Sequence, residues 1–346
     1  MTFDEIMAEI KTGLTGNSEV DIQYLIDQSE KYKTHEYADE IASAIGCMIY
    51  DLLPDDCKKQ SNQILNNITL GIESTIEEAE FQMYKNKYRK ALEIMKPLIA
   101  ILEVKGCYID DSFIEHRCFD NIFEEIIYKE IFKPKREIRR ITENYTDAYY
   151  KYGIILFELR EYSEARKALE KANKYNPVNT NVLFELSETY KVNKDWDEYL
   201  RITGNCLQYA YSSEALARCY RNYGFYFIEQ GNYEMAALLF YVSVNYEEDS
   251  KAAQAELLYI SSVTEETPKF PKLGRVIKLL EKYNIQLGPN KLILGLAYSI
   301  AKMAQENKNS GMAKNFYKIF YDLTKDEEVK KIIDSIEDAG DKKLWN

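Results

Sequence analysis

The sequence predicts an all-α protein, an α-solenoid of antiparallel helix pairs with a helical N-terminal region. Only 14 glycines and 7 prolines occur in 346 residues, so few positions can break a helix. Runs of β-branched residues of strand length are scarce. Small residues recur at a fixed spacing in the middle of the chain, which predicts repeated close contacts between helices. The chain is long for one compact core, and stacked helix pairs use that length naturally.

The N-terminal third is predicted to contain helices whose ends are set by glycine, proline and capping residues: 2–12, 21–32, 37–53, 56–85, 88–104 and 113–132. Gly13 ends the first helix and Pro54 ends the third, since neither residue favours a continued helix. Asp55 is a suitable N-cap for the fourth. Polar residues from Lys105 to Ser112 predict a loop, and Lys133-Pro134 breaks the last helix.

Residues 146–179 carry the clearest repeat. Small and apolar residues follow a glycine there at intervals of 3, 12, 16, 19 and 24 residues: Gly153, Leu156, Ala165, Leu169, Ala172 and Pro177. A side chain at Gly153 would push two crossing helices apart, whereas Pro177 ends the second helix. This pattern resembles the tetratricopeptide repeat (TPR), a helix pair of roughly 34 residues, in a bacterial-type protein. The resemblance implies that the chain binds a protein or peptide.

Because one helix pair cannot bury both of its faces, a repeat predicts neighbours. We expect a degenerate copy at 180–213, a clearer one at 217–250, and divergent helix pairs over 251–346, which are interrupted by Thr267–Pro271. One TPR-like pair lies near 72–105. The sequence thus predicts an N-terminal region of residues 1–132 and a TPR domain of residues 133–346.

Charge and cysteine content restrict the function. A formal net charge of −12 and a pI of about 5.0 disfavour nucleic acid and anionic membranes as partners. There is no bilayer-length apolar run, and the acidic N-terminus is unlike a signal peptide, so we expect a cytoplasmic protein. The six cysteines form no Cys-x-x-Cys pair. Cys107, His116 and Cys118 lack a fourth ligand, and we expect neither a metal nor a cofactor.

No enzyme motif is complete. His35-Glu36 begins like a zincin motif, but Asp39 stands where the second histidine is required. There is no glycine-rich phosphate loop and no Gly-x-Ser-x-Gly turn. The pairs Glu124-Glu125 and Glu265-Glu266 are interpreted as solvated helix faces. The sequence therefore predicts a protein that is not an enzyme.

The TPR resemblance assigns positions 2, 5, 6, 9, 12 and 13 of each repeat to the concave groove. The candidate binding residues at these positions are Tyr150, Phe157, Phe184, Glu188, Lys191, Arg218, Arg221, Asn222 and Phe225. Arg218, Arg221 and Asn222 share one helix face, which suits bidentate binding of an acidic group or a C-terminal carboxylate. The alternative is that the arginines pair with Glu185 and Glu188 and bind no ligand.

Two further comparisons bear on the partner. TPR domains that bind chaperone tails have Lys and Asn where this chain has Tyr150 and Ile154, so the chain departs from that class. A basic run forms a candidate secondary patch: Lys133, Lys135, Arg136, Arg139 and Arg140. Such a run is most often a solvated helix face, and the alternative is a site for an acidic partner or another subunit.

Two functional hypotheses follow from the resemblance. The first is a binding scaffold that holds a protein or peptide in the groove of the array. The second is a regulatory receptor, similar to bacterial peptide-sensing TPR proteins, in which the N-terminal helical region is the output. A receptor should change shape when a short peptide binds, whereas a scaffold need not.

Overall fold

The structure is a computed structural model that describes residues 1–54, 71–104, 108 and 110–336, without the side chains of residues 39, 43 and 47. The chain divides into two compact units. Unit 1 comprises Met1–Asp120 with Lys129–Pro177, and unit 2 comprises Asn121–Tyr128 with Val178–Asn346. The predicted boundary after residue 132 falls inside unit 1 of this division.

Unit 1 begins with a small helical cluster. Its helices are α1 (Phe3–Thr12), α2 (Ser18–Lys31) and α3 (Ala38–Leu52). Thr2 and Glu5 form a capping box at the start of α1, and the Asn17 side chain caps the start of α2. These side chains bond to backbone N–H groups at the N-termini of both helices. Apolar side chains of all three helices form one buried core: Ile6, Met7, Ile10, Leu25, Tyr32, Ile41 and Ile45.

The next helices are α4, whose described residues are 71–84, and α5 (Tyr88–Val104). Between them Asn86 has a φ of 56°, the left-handed conformation that asparagine adopts more readily than most residues. The Lys87 N–H donates to the carbonyl of Gln82 at 2.9 Å and closes the turn. Helix α5 packs against a later helix, α7 (Tyr145–Glu158).

The predicted helix over residues 113–132 is wrong in its first part. Ile114–Arg117 form a strand, β1, which pairs in parallel with β2 (Glu137–Arg140), and only α6 (Ile122–Phe132) is helical. The Asp111 side chain accepts the N–H groups of Phe113 and Ile114, and Asp110 accepts that of His116. These bonds satisfy backbone donors in an extended conformation, and strand pairing satisfies others.

The basic run is therefore not a helix face, because Arg139 and Arg140 belong to β2. The Glu137 N–H donates to the carbonyl of Phe113, and that of Ile141 donates to the carbonyl of Arg117, each at 2.8 Å. Both bonds tie the run to β1, and they fix the register in which His116 lies opposite Arg139.

Unit 1 ends with the helix pair α7 and α8 (Tyr162–Tyr175). A Cβ on Gly153 would lie 2.6 Å from the Cγ atom of Leu169, so only glycine permits this distance between the helices. Ala165, Leu169 and Ala172 are fully buried. This is the close contact that the small-residue spacing predicts.

Unit 2 continues the helical pattern. Its helices are α9 (Thr180–Val192), α10 (Trp196–Tyr209), α11 (Ser213–Glu229), α12 (Tyr233–Val244), α13 (Lys251–Thr264), α14 (Leu273–Lys282), α15 (Lys291–Glu306), α16 (Ser310–Thr324) and α17 (Glu327–Ser335). Side chains that accept a backbone N–H begin every one of these helices except α14: Asn179, Asp195, Ser212, Asn232, Ser250, Asn290, Asn309 and Asp326. Such caps define the ends of successive helices.

Helices of unit 2 pack as consecutive pairs, α9 with α10, α11 with α12 and α15 with α16, and α10 also packs on α11. A Cβ on Gly224 would lie 2.9 Å from the buried ring of Phe240. The close contact of a glycine with the second helix of its pair, seen at Gly153 in unit 1, thus recurs in unit 2. The prediction of an all-α helical-repeat fold is confirmed, with the β1–β2 pair as an addition. No helix in the described residues is both long and apolar enough to cross a membrane.

The first part of α6 is buried in unit 2. The Phe123 ring is fully buried, and its centroid lies 5.4 Å from that of Tyr211 and 5.1 Å from that of Phe316. The Tyr211 hydroxyl donates to Glu124 at 3.2 Å. Glu124 and Glu125 are buried, so their interpretation as a solvated face is wrong, whereas Glu265 and Glu266 are exposed as predicted.

Candidate functional site

The candidate site of unit 2 lies where α9, α11 and the start of α13 come together. The Arg218 Nη2 atom on α11 lies 2.9 Å from the Glu185 Oε1 atom on α9. The Arg221 Nη1 atom donates to the Ser250 hydroxyl, the N-cap of α13, at 3.2 Å. These contacts join α9 to α11, and α11 to the N-cap residue of α13. We call the shared surface of these helices the first-helix strip, which consists of Glu185, Glu188, Lys191, Arg218, Arg221 and Phe225.

Arg218 is held by a carboxylate and by an aromatic ring. Besides its ion pair with Glu185, its guanidinium carbon lies 4.6 Å from the centroid of the Phe184 ring. This ion pair is the internal contact with Glu185 that the alternative prediction names for this arginine. About a third of the Arg218 side chain remains exposed. A guanidinium has five N–H donors, so one ion pair does not exhaust its capacity.

Arg221 pairs differently from the prediction. Its guanidinium bonds to Glu247, which follows α12, and to Ser250, not to Glu188. Glu188 instead forms an ion pair with Lys191 one helical turn away on α9. Each cation of the first-helix strip therefore already has a carboxylate neighbour.

Phe184 and Asn222 do not belong to an accessible surface. Phe184 is 2% exposed and Asn222 is 6% exposed, which corrects their prediction as ligand-contacting residues. The Asn222 carbonyl accepts the hydroxyl of the buried Tyr199 at 3.1 Å, and its amide lies 3.5 Å from the Ser187 hydroxyl. Both residues join α11 to its neighbours, so their role is packing.

An aromatic group lies beside the charges. The Lys191 Nζ atom lies 4.7 Å from the centroid of the partly exposed Phe225 ring, within cation–π distance. The Trp196 ring, also partly exposed, lies 6.4 Å from Phe225 and 5.9 Å from Tyr226. The groove positions predicted from the sequence do not include Trp196. Its position one residue after an N-cap aspartate could have indicated that it begins α10, next to the first helices.

The electrostatics of the strip extend to α13. Burial raises the pKa of the Glu256 carboxyl above its usual value, and the nearby Lys191 ammonium partly opposes this increase. Glu247, Ser250 and Glu256 were not predicted from the sequence, because only positions on the first helix of each repeat between residues 146 and 250 were assigned to the groove. The N-cap pattern of serine before α13 is the one signal that could have located Ser250.

The remaining predicted groove residues, Tyr150 and Phe157, lie on α7 in unit 1. The Lys151 Nζ atom lies 5.3 Å from the Tyr150 ring centroid and 2.5 Å from the Glu80 carboxylate. Phe157 packs edge-on against Tyr162 with centroids 5.2 Å apart. Next to Lys151, burial raises the pKa of Asp147 to about 6, although Lys151 lowers it.

The basic run also belongs to unit 1. The Arg136 Nη2 atom lies 3.0 Å from the buried Glu115 carboxylate, and Nη1 donates to the Asp111 carbonyl at 3.1 Å. Arg139 lies 3.5 Å from Asp51. Lys133, Lys135 and Arg140 are exposed. Arg136 therefore joins the segment that enters β2 to β1, Arg139 contacts α3, and the lysines face solvent.

The described thiols are structural. Cys118, Cys206 and Cys219 are free and buried, and burial raises the pKa of the Cys118 and Cys219 thiols, so both remain protonated. Cys57 and Cys107 lie outside the described residues. Within the described ranges no group of three or more His, Cys, Asp or Glu side chains is arranged to hold a metal ion.

Comparison with known proteins identifies no family. No family model matches the chain, and no curated protein matches it. Among solved structures 59 chains are similar, and one comes from the crystal structure of the APC/C hetero-tetramer Cut9-Hcn1. That chain is 12% identical, with a TM-score of 0.33, and the match covers 92% of this chain and 60% of the other. The present chain thus spans about three-fifths of its neighbour, and a similarity of this size does not indicate what it binds.

Proposed function

We propose that this chain is a protein- or peptide-binding scaffold, not an enzyme, and that its ligand lies on the first-helix strip. The observation that carries the proposal is the arrangement of two fixed guanidinium groups, Arg218 and Arg221, with the partly exposed Phe225 ring. All three groups lie on α11, beside Glu188 and Lys191 of α9, so an extended segment could contact all of them at once.

The chemistry favours a ligand with an acidic group. Arg218 is oriented by Glu185 on one side and by the Phe184 ring on the other. Because the guanidinium is already ordered, a ligand carboxylate that joins it loses less side-chain entropy than binding to a mobile cation would. Glu185 competes for the same donors, so the incoming carboxylate would share the guanidinium.

An apolar ligand side chain would lie beside this acidic group. Phe225 and Trp196 present partly exposed rings next to Lys191, and aromatic side chains of this kind commonly anchor a partner. The preferred ligand therefore carries a large apolar residue near an acidic side chain or a C-terminal carboxylate.

The test is selection of peptides with free C-termini on the full chain, followed by titration calorimetry. Arg218→Ala should weaken binding by about tenfold or more, the usual effect of truncating a central interface arginine. Arg201→Ala is the matched control, because Arg201 forms a comparable ion pair with Glu198 on α10 and is not one of the strip residues. Amidation of the peptide C-terminus tells a terminal carboxylate from an acidic side chain. Equal affinities for both variants would contradict the proposal.

A further inference from the structure

A local reversal of charge marks the region around α14. In residues 267–282 five side chains are basic and one is acidic, although the whole chain carries a net charge of −12. The basic residues recur every three or four positions: Lys269, Lys272, Arg275, Lys278 and Lys282. Arg275 pairs with Glu234 of α12. Among the described residues, no carboxylate pairs with Lys269, Lys272 or Lys278, so their charges are available to a partner.

Apolar side chains lie exposed among these cations. Phe270 is 47% exposed, Leu273 63% and Ile277 40%. Leu273 and Ile277 are four residues apart, so they share one face of α14. Val276 and Leu280 are each 1% exposed and pack inward. Helix α14 therefore uses one apolar face for folding and leaves a second in solvent. We call Lys269, Phe270, Lys272, Leu273, Ile277 and Lys278 the α14 surface.

A recess borders the α14 surface and is held in shape by specific contacts. The Tyr241 hydroxyl of α12 donates to the Pro268 carbonyl at 2.6 Å, and the Tyr241 ring packs edge-on against Phe270. The recess has a volume of about 560 Å³, and Tyr233, Ala237 and Ile260 contribute to its lining. This volume is within the range of small-molecule pockets, which is enough space for one or more side chains.

We propose that the α14 surface docks an acidic amphipathic segment of a partner protein, at a site separate from the first-helix strip. Apolar side chains of that segment contact Leu273 and Ile277 and insert beside Phe270. Its Asp and Glu side chains pair with Lys269, Lys272 and Lys278. Charge complementarity selects an acidic partner, and the recess favours a segment with protruding side chains over the flat surface of a bilayer.

The test begins with a displayed library of random peptides, selected on the Arg218→Ala/Arg221→Ala chain so that the first-helix strip does not contribute. We expect peptides with large apolar residues at helical spacing and several Asp or Glu residues. Affinity of a selected, fluorescently labelled peptide is then measured by anisotropy. It should fall by about tenfold or more in Lys269→Glu/Lys272→Glu/Lys278→Glu and in Leu273→Asp, and it should weaken as salt increases.

The matched control is Lys291→Glu/Lys302→Glu/Lys308→Glu, which changes net charge equally at exposed lysines of the same unit and should retain binding. The proposal is overturned if selection yields no peptide, if the peptides lack acidic residues, or if both triple variants bind alike. Binding to phosphatidylserine vesicles that the first triple variant abolishes would assign the surface to a membrane instead. Self-association in sedimentation velocity that the same variant abolishes would assign it to a second copy.

Discussion

The close contact at Gly153 makes the repeat packing testable. We expect Gly153→Ala to destabilise unit 1 although alanine is the better helix former. The matched control is Gly46→Ala, since Gly46 lies in the interior of α3 in the same unit and a Cβ there would meet no atom within 4 Å. The two variants make the same chemical change in a helix, and they differ in what surrounds the added methyl group.

The magnitude follows from the distances. Replacing glycine by alanine in a helix interior stabilises it by about 1 kcal/mol, and Gly46→Ala should show this gain. At Gly153 the new Cβ would lie 2.6 Å from Cγ and 2.8 Å from Cδ2 of Leu169, which is fully buried, and 3.4 Å from the Ala165 carbonyl oxygen. Overpacking costs about 1 to 3 kcal/mol. Because the Leu169 side chain is fully buried and has no space to move into, the cost at this site should be about 3 kcal/mol. Gly153→Ala should therefore destabilise by about 2 kcal/mol net.

The assay is urea unfolding of the full chain, followed by circular dichroism and by hydrogen exchange of amides in α7 and α8. Exchange separates unit 1 from unit 2, because the two units need not unfold together. The same comparison can be made in unit 2 with Gly224→Ala and Gly295→Ala. The added Cβ would lie 2.9 Å from the Phe240 ring in the first variant and would meet no atom within 4 Å in the second. If Gly153→Ala and Gly46→Ala stabilised unit 1 equally, the helix distance inferred from Gly153 would be refuted.

Two further predictions concern the partly buried carboxyl group of Asp147 and the fully buried ring of Phe123. Because burial raises the folded-state pKa of Asp147 from 3.8 to about 6, its effect on stability is most favourable below pH 4 and is lost as pH rises through 6. The side chain is 40% exposed, so the effect is small. Between pH 4 and 7, the free energy of unfolding of the wild type should fall by less than about 1 kcal/mol relative to that of Asp147→Asn, as measured by urea titration. Parallel pH profiles of the two proteins would exclude the effect. Phe123→Ala should lower the free energy of unfolding of unit 2 by about 3 to 5 kcal/mol. The control is Tyr259→Ala, which should cost far less because the Tyr259 ring is half-exposed. Equal midpoints of urea unfolding for the two variants would show that Phe123 is not a core residue.

The sequence predicts the helix pairs well because small residues encode helix contacts directly. Gly153 and Ala165 can be identified at fixed intervals, and each makes a close contact within one pair. The strands were missed for the opposite reason. Ile114–Arg117 is short and mostly polar, and its partner begins 23 residues further along the chain. A non-local pairing of this kind leaves no periodic pattern in either segment.

The candidate site was predicted less completely than the fold. The repeat frame placed Arg218 and Phe225 on a partly exposed face, but it did not reveal that neighbouring helices cover Phe184 and Asn222. Arg221 forms its ion pair with Glu247 and its hydrogen bond with Ser250, and both partners lie beyond the end of α12. Such contacts are decided by how successive helices are stacked, and residue spacing within one repeat contains no information about this stacking.

The burial of Phe123 has a consequence for biosynthesis. Its ring packs against Phe316, 193 residues later in the chain, so this contact cannot form until the ribosome has released α16. Long sequence separations between contacting residues slow folding, and the apolar group stays exposed in the meantime. A nascent chain that has completed α7 and α8 still presents this ring to solvent. Chaperones that bind exposed aromatic segments thus have a defined target at Asn121–Tyr128 for most of translation.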